Sequence, residues 1–248
     1  IVGKYGPQVQ ALLGKAAGLE LQMICPLHGP IIRSDFGYFL DKYQKWSTYQ
    51  PEEKAVMIAY GTIYGGTANA AEILANKLAE RGVKNIVMYD TSATHSSYIL
   101  ADAFRCSHLV FASSTYNNGI FSTMEHLLHE LKAHNLSNRT VALLQNGSWG
   151  PNAGKQMKEL LEGMKNITIL ENMVTFKSRL QEEQNAELDE LADAGQALIR
   201  RGIEHVVVSM GGRGALYLRK DSVIYAPALK VKVGSTVGAG DSVVAALA

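Results

Sequence analysis

The chain has 248 residues, 47% of them hydrophobic, with 24 Lys plus Arg against 23 Asp plus Glu and a net charge of +1. That balance excludes intrinsic disorder and gives no electrostatic case for a nucleic-acid partner, which would need a basic stripe. Two cysteines outside any paired motif, no apolar run near the roughly 20 residues of a bilayer span and no secretory leader point to a reducing, cytoplasmic setting without membrane contact.

Residues 1–50 contain a helical stretch at 9–19, a Pro/Gly loop at 21–30 and an aromatic-rich stretch to 49. From 54 a regular alternation begins. Lys54-Ala-Val-Met-Ile-Ala-Tyr-Gly61 is an apolar run ending in glycine, the signal of a buried strand. Residues 67–81 show helical spacing at Ala71, Leu74, Ala75 and Leu78, stopped by Gly82. A second strand comes at 85–89, a helix at 96–105, a third strand at 108–113, and a helix at 121–133 with Met124, Leu127, Leu128 and Leu131 on one face. Strands at 140–144 and 167–170 and a helix at 182–191 complete the rhythm. Short strands alternating with helices imply crossover units and a parallel sheet covered on both faces. The predicted fold class is therefore α/β, a flavodoxin-like doubly wound sheet of five parallel strands in the order 2-1-3-4-5. After 194 a new pattern starts: a helical stretch at 196–201, a strand at 205–209, glycines at 211, 212 and 214, hairpin-like runs at 215–219 and 223–225, and Gly238-Ala-Gly-Asp241. The sequence opens on Ile1 and closes at 243–248 on the beginning of a helix, so both ends read as truncated.

Ligands of open parallel sheets bind beyond the carboxyl ends of the strands, so the loops there carry the functional reading. The first is Gly61-Thr-Ile-Tyr-Gly-Gly-Thr67, opening a helix, where Thr62, Thr67 and the backbone N–H groups of Ile63, Tyr64, Gly65 and Gly66 are placed to cradle a phosphate. It has no lysine, unlike a nucleoside-triphosphate loop, which favours a monophosphate such as FMN. The second is Ser114-Thr115-Tyr116-Asn117-Asn118-Gly119 and the third Asn146-Gly147-Ser148-Trp149-Gly150. Tyr116 and Trp149 are candidates to flank a planar ring whose polar edge meets loop amides. Each loop alone is more often a helix cap or a packing turn; their joint placement at three strand ends is what points to a cofactor.

Four stretches resemble the flavodiiron proteins, or A-type flavoproteins: Ile24-Cys-Pro-Leu-His-Gly-Pro-Ile31, Tyr60-Gly-Thr-Ile-Tyr-Gly-Gly-Thr67, Ser114-Thr-Tyr-Asn-Asn-Gly-Ile-Phe121 and Asn146-Gly-Ser-Trp-Gly150. The resemblance implies that 1–50 is the tail of a metallo-β-lactamase-like di-iron domain and 51–193 an FMN-binding, flavodoxin-like electron-transfer domain. It also implies oxygen or nitric oxide reduction in the intact family, a redox partner such as rubredoxin or a flavin reductase, and a homodimer. His28 matches the last iron-ligating histidine, but a His-x-Glu-x-Asp-His cluster is absent from this sequence, so no di-iron centre is expected in the chain as written. Pro151 stands where many members continue with a second aromatic residue.

Residues 194–248 resemble the phosphofructokinase-B, or ribokinase-like, sugar kinases, through Val206-Val-Val-Ser-Met-Gly-Gly-Arg-Gly-Ala215 and Ser235-Thr-Val-Gly-Ala-Gly-Asp-Ser242. The resemblance makes Gly238, Ala239 and Gly240 an anion hole for the transferring phosphoryl group and Asp241 the base on the sugar hydroxyl. A partial kinase of this size is expected to be inactive, with ATP and Mg relevant only to a complete one. The leading expectation is an electron-transfer domain joined without a linker near 193–195 to a kinase fragment. The alternatives are a 1-phosphofructokinase-like phosphotransferase and an inert chimera.

Overall fold

The computed structural model describes residues 2–199, 205–209, 215–219 and 222–226, with side-chain surroundings through 194. Its centre is a parallel sheet in the order β2-β1-β3-β5-β6, built from β1 (Glu53–Gly61), β2 (Ile86–Asp90), β3 (Cys106–Tyr116), β5 (Arg139–Asn146) and β6 (Ile167–Ile169). β4 (Gly119–Ile120) folds back antiparallel on β3, and β7 (Val174–Phe176) pairs with β5. Each strand but the edge is a near-continuous apolar run because both faces are covered. On β1, Ala55, Met57 and Ala59 join one core, with helices α4 (Ser96–Arg105), α5 (Ser122–Ala133) and α6 (Ala153–Glu162). Val56 and Ile58, the alternate residues, join the other core, with α3 (Gly66–Glu80) and α7 (Glu182–Ile199).

The fifth strand read at 167–170 is two pieces. β6 pairs with Arg139–Val141 and β7 with Leu144–Asn146, and the chain leaves the sheet between them. That detour brings residues 177–179 to the carboxyl end of β5. Helix α6 is not evident from the sequence, because its start lies in Pro151-Asn-Ala-Gly154 and its apolar positions are few.

The N-terminal segment is helical in two places. α1 (Gly6–Ala16) starts three residues earlier than its apolar spacing suggests, with Pro7 in its first turn. The stretch read as merely aromatic-rich is α2 (Phe36–Ser47), entered through Asp35 at a left-handed φ of 55°. Gln10 Nε2 donates to Ser47 Oγ at 2.6 Å between the two helices, and a Cβ on Gly6 would collide with Ser47 O, so only glycine allows this approach. The segment is fastened to the sheet through Arg139. Its guanidinium, 2% exposed, donates to the carbonyls of Tyr49, Ala103, Phe104, Ser137 and Asn138 at 2.6–3.2 Å.

α7 runs unbroken across 193–195, so the junction read there lies inside a helix. Beyond it β8 (His205–Ser209), β9 (Ala215–Arg219) and β10 (Ser222–Ala226) form an antiparallel sheet in the order β10-β9-β8. No helix among the described residues is long and apolar enough to cross a membrane.

Candidate functional site: the carboxyl end of the parallel sheet

The ends of β1, β3 and β5 are joined by one buried polar network. Thr67 Oγ1 and Ser114 Oγ lie 2.8 Å apart, and Asn146 Nδ2 donates to Thr67 Oγ1 at 3.2 Å and to Ser178 O at 3.1 Å. Asn146 Oδ1 accepts from Ser178 N at 2.8 Å. Thr67 is fully buried and Ser114 and Asn146 nearly so. These three side chains are therefore the floor of the site. Thr67, expected to meet a phosphate with its hydroxyl, instead spends that hydroxyl on Ser114 and Asn146.

The rest of the first loop is open. Thr62 Oγ1 accepts from Gly65 N at 3.0 Å, which leaves its own O–H free to donate outward. Gly65, at φ 85°, is the N-cap of α3, and no side chain caps this helix. The first N–H groups of a helix have no partner within the helix, and together with its dipole they form an anion site. Other helices starting at this end of the sheet are differently supplied. His95 Nδ1 caps α4; Thr115 Oγ1 accepts from Asn152 N and Ala153 N and Gln145 Oε1 from Gly154 N at α6; Glu125 sits in the first turn of α5. The uncapped, acid-free start belongs to α3.

The second loop is a tight hairpin. Tyr116 pairs with Gly119, and Asn117 and Asn118 take the positive φ values of 49° and 59° that a two-residue turn demands. Asn118 O accepts from Asn152 and Gln156, which ties the hairpin to α6. Tyr116 stands 55% exposed, braced edge-on by Phe121 at 6.2 Å. In the third loop Trp149 is 94% exposed, and Ser148 Oγ lies 3.0 Å from Ser178 Oγ. Tyr64 in the first loop is also bare, at 98%. Large rings left in solvent on all three loops are surface that a planar ligand would cover. At the edge of the site Tyr60 is the last residue but one of β1; burial and then Asp90 push its phenol up, so it stays neutral.

Residues 177–179 are a fourth element that sequence reasoning misses. Ser178, at φ 62°, puts its carbonyl oxygen where a Cβ on Gly66 would be, so this segment lies directly on the first loop. Val174-Thr-Phe176, alternating buried, exposed, buried, is the signal that another strand end precedes it.

His28 lies at the exposed tip of a loop closed by the Ile24–Ile32 bridge, and no group of three His, Cys, Asp or Glu side chains suited to a metal occurs among the described residues. Gly238, Ala239, Gly240 and Asp241, read as anion hole and base, lie outside the described residues.

The structure resembles that of rubredoxin oxygen:oxidoreductase from Desulfovibrio gigas, with a TM-score of 0.73 and 24% identity over 81% of this chain and 50% of that one. In sequence, rubredoxin-oxygen oxidoreductase from Megalodesulfovibrio gigas is 28% identical over 170 residues, covering 66% of this chain and 41% of the relative. The chain thus spans less than half the length of that relative. A 1-phosphofructokinase from Xanthomonas campestris pv. campestris is 50% identical over 58 residues, 23% of this chain and 18% of the relative. The family model of the pfkB family carbohydrate kinases matches residues 93–248, a span that begins well before 194 and so overlaps α4 to α7 of the α/β unit. The chain accordingly combines an α/β fold of flavodiiron-protein type with a kinase-family match, and through residues 93–248 it belongs to the pfkB family of carbohydrate kinases.

Proposed function

We propose that residues 51–193 form a flavodoxin-like FMN-binding module that passes electrons, as part of a flavodiiron-type oxidoreductase. The observation that carries this reading is the uncapped start of α3 beside a network that locks three loops with bare aromatic rings at one sheet end. The sheet order β2-β1-β3-β5-β6 supports it, since it reverses direction at β1 and β3, where crevice ligands of doubly wound sheets bind. FMN, when bound, supplies stepwise electron transfer. The chain supplies the rest. Thr62 O–H and the N–H groups of Gly66 and Thr67 hold the phosphate. The Asn117-Asn118 turn holds Tyr116 in place, and Tyr116 and Trp149 would flank the ring and shield it from water.

Oxygen or nitric oxide is the proposed acceptor in a complete assembly, with rubredoxin or a flavin reductase as donor, a homodimer as the working unit and the cytoplasm as its place. A di-iron centre would need ligands beyond His28, so iron is not proposed for this chain. The test is titration of the purified chain with FMN. Roughly stoichiometric quenching of flavin fluorescence is expected, and a colourless protein that leaves added FMN fluorescence untouched would sink the reading.

A second reading rests on the kinase-family match: ATP-dependent phosphorylation of a sugar phosphate, with Asp241 as base and 238–240 as anion hole. Sugar-dependent ADP release abolished by Asp241→Asn would establish it, and its absence would leave this part an inactive fragment.

A further inference from the structure

The first loop, Gly61 to Thr67, carries no cationic side chain, yet a phosphate monoester is a dianion. The segment 177–179 lies against that loop at Gly66, and its centre is strained. Arg179 N donates to Lys177 O at 2.8 Å around Ser178 at φ 62°, the rarer, positive-φ kind of γ-turn. Such a turn persists only when its surroundings hold it. Here Asn146 grips Ser178 N and O with both ends of one amide, and Ser148 Oγ meets Ser178 Oγ at 3.0 Å. Ser178 O in turn occupies the space beside Gly66 that any side chain would need. Lys177 and Arg179 flank this turn, both exposed, and no carboxylate pairs with either among the described residues. A fixed, strained turn laid on an anion loop, with an unpaired cation on each side of its centre, is a built arrangement for negative charge.

We propose that Lys177 and Arg179 are the charge half of the phosphate site: they recognise the terminal phosphate of a flavin mononucleotide and so select it over the uncharged riboflavin. The assignment rests on the FMN reading above and adds residues to it. α3 supplies directed N–H groups, and the 177–179 turn supplies the counter-charge that this loop lacks.

The experiment measures dissociation constants of FMN and riboflavin for the full chain and for Lys177→Gln/Arg179→Gln at low and high salt. Exposed ion pairs are each worth up to about a fivefold change in affinity. The double variant should therefore bind FMN about five- to twentyfold more weakly, with riboflavin unchanged and a shallower salt dependence for FMN. Gly66→Ala, which drives a Cβ into Ser178 O, should displace the turn; adding the double substitution to it should then cost little more. FMN affinity within twofold of the unmodified chain, an equal loss for riboflavin, or full additivity with Gly66→Ala would each overturn the assignment while leaving the FMN reading intact. An unmodified chain that binds neither flavin overturns both.

Discussion

Asn146 and Ser178 meet as two strands would: one side-chain amide accepts from Ser178 N at 2.8 Å and donates to Ser178 O at 3.1 Å. The same Nδ2 also donates to Thr67 Oγ1 at 3.2 Å. Only a carboxamide of this length can do both, because a carboxylate has nothing to donate. This one residue therefore ties the start of α3, through Thr67, to the turn at 177–179.

Asn146→Asp tests that role. It keeps the shape, removes both donated bonds and sets a charge against two acceptors. A buried acceptor left unmade costs about 1–3 kcal/mol. The expected outcome is a fall in thermal stability of the flavin-free protein and weaker FMN binding together, read by melting and by fluorescence titration. A variant that melts like the parent would show that the amide is not holding the turn.

The two threonines of the first loop should behave oppositely. Thr62 Oγ1 accepts from Gly65 N and keeps its own O–H unspent, whereas Thr67 is buried in the network. Thr62→Ala should weaken FMN by about 10- to 100-fold, the value of about 1.5–3 kcal/mol for a hydrogen bond to a charged group, with little change in flavin-free melting. Thr67→Val should chiefly lower the melting temperature. Equal effects of the two on affinity and stability would refute this division of labour.

The strands of the sheet are legible because each is a short apolar run closed by glycine or a polar turn, and period and length leave little choice for a run such as Lys54 to Gly61. The three loops at the strand ends are legible for the same reason, since each begins where such a run stops. The elements that escape are held by partners distant in sequence. α6 takes its N-terminal hydrogen bonds from Thr115 and Gln145, so no local cap announces it. α2 enters through a left-handed Asp35 without a side-chain cap. The Thr67 hydroxyl looks available because a hydroxyl at a helix start usually is free; only its bonds to Ser114 and Asn146, 47 and 79 residues away, show that it is engaged. Ser178 carries no motif at all.

Arg139 should be the most sensitive single position outside the site. Burial pushes its guanidinium pKa down to about 10, still charged at neutral pH, and all its hydrogen bonds go to carbonyls. Arg139→Met removes these bonds and leaves buried carbonyls unmet, a loss of about 3 kcal/mol or more. Because Tyr49 O is among the acceptors, residues 1–50 should loosen first. Limited proteolysis is expected to clip this segment in the variant while the sheet survives. Cleavage at the same rate as in the parent would argue against the clamp.

The last prediction concerns pH. His108 lies on β3 with Nδ1 2.7 Å from Ser107 Oγ, and burial, then the charge of Lys54, holds its pKa below the ordinary histidine value. The folded chain keeps this ring neutral where the unfolded chain, with a pKa of about 6.5, begins to take a proton. The unfolded state then binds more protons, so stability is unaffected above that pH and falls as pH drops through it towards the depressed folded value. The slope for one such group is at most about 1.4 kcal/mol per pH unit. Asp102 acts in a different window. Burial opposes its ionisation, but hydrogen bonds from Arg105 and Tyr89 hold its pKa low, so its contribution is lost only below the usual carboxylate range of about 4. Between pH values of about 6.5 and 5, therefore, His108 should account for part of the acid sensitivity that Asp102 does not. His108→Gln, neutral at every pH, should flatten the urea midpoint across that interval relative to the parent and leave the steeper loss near pH of about 4 in place. Parallel curves for parent and variant from pH of about 7.5 to about 5 would show that the buried ring is not a source of acid sensitivity.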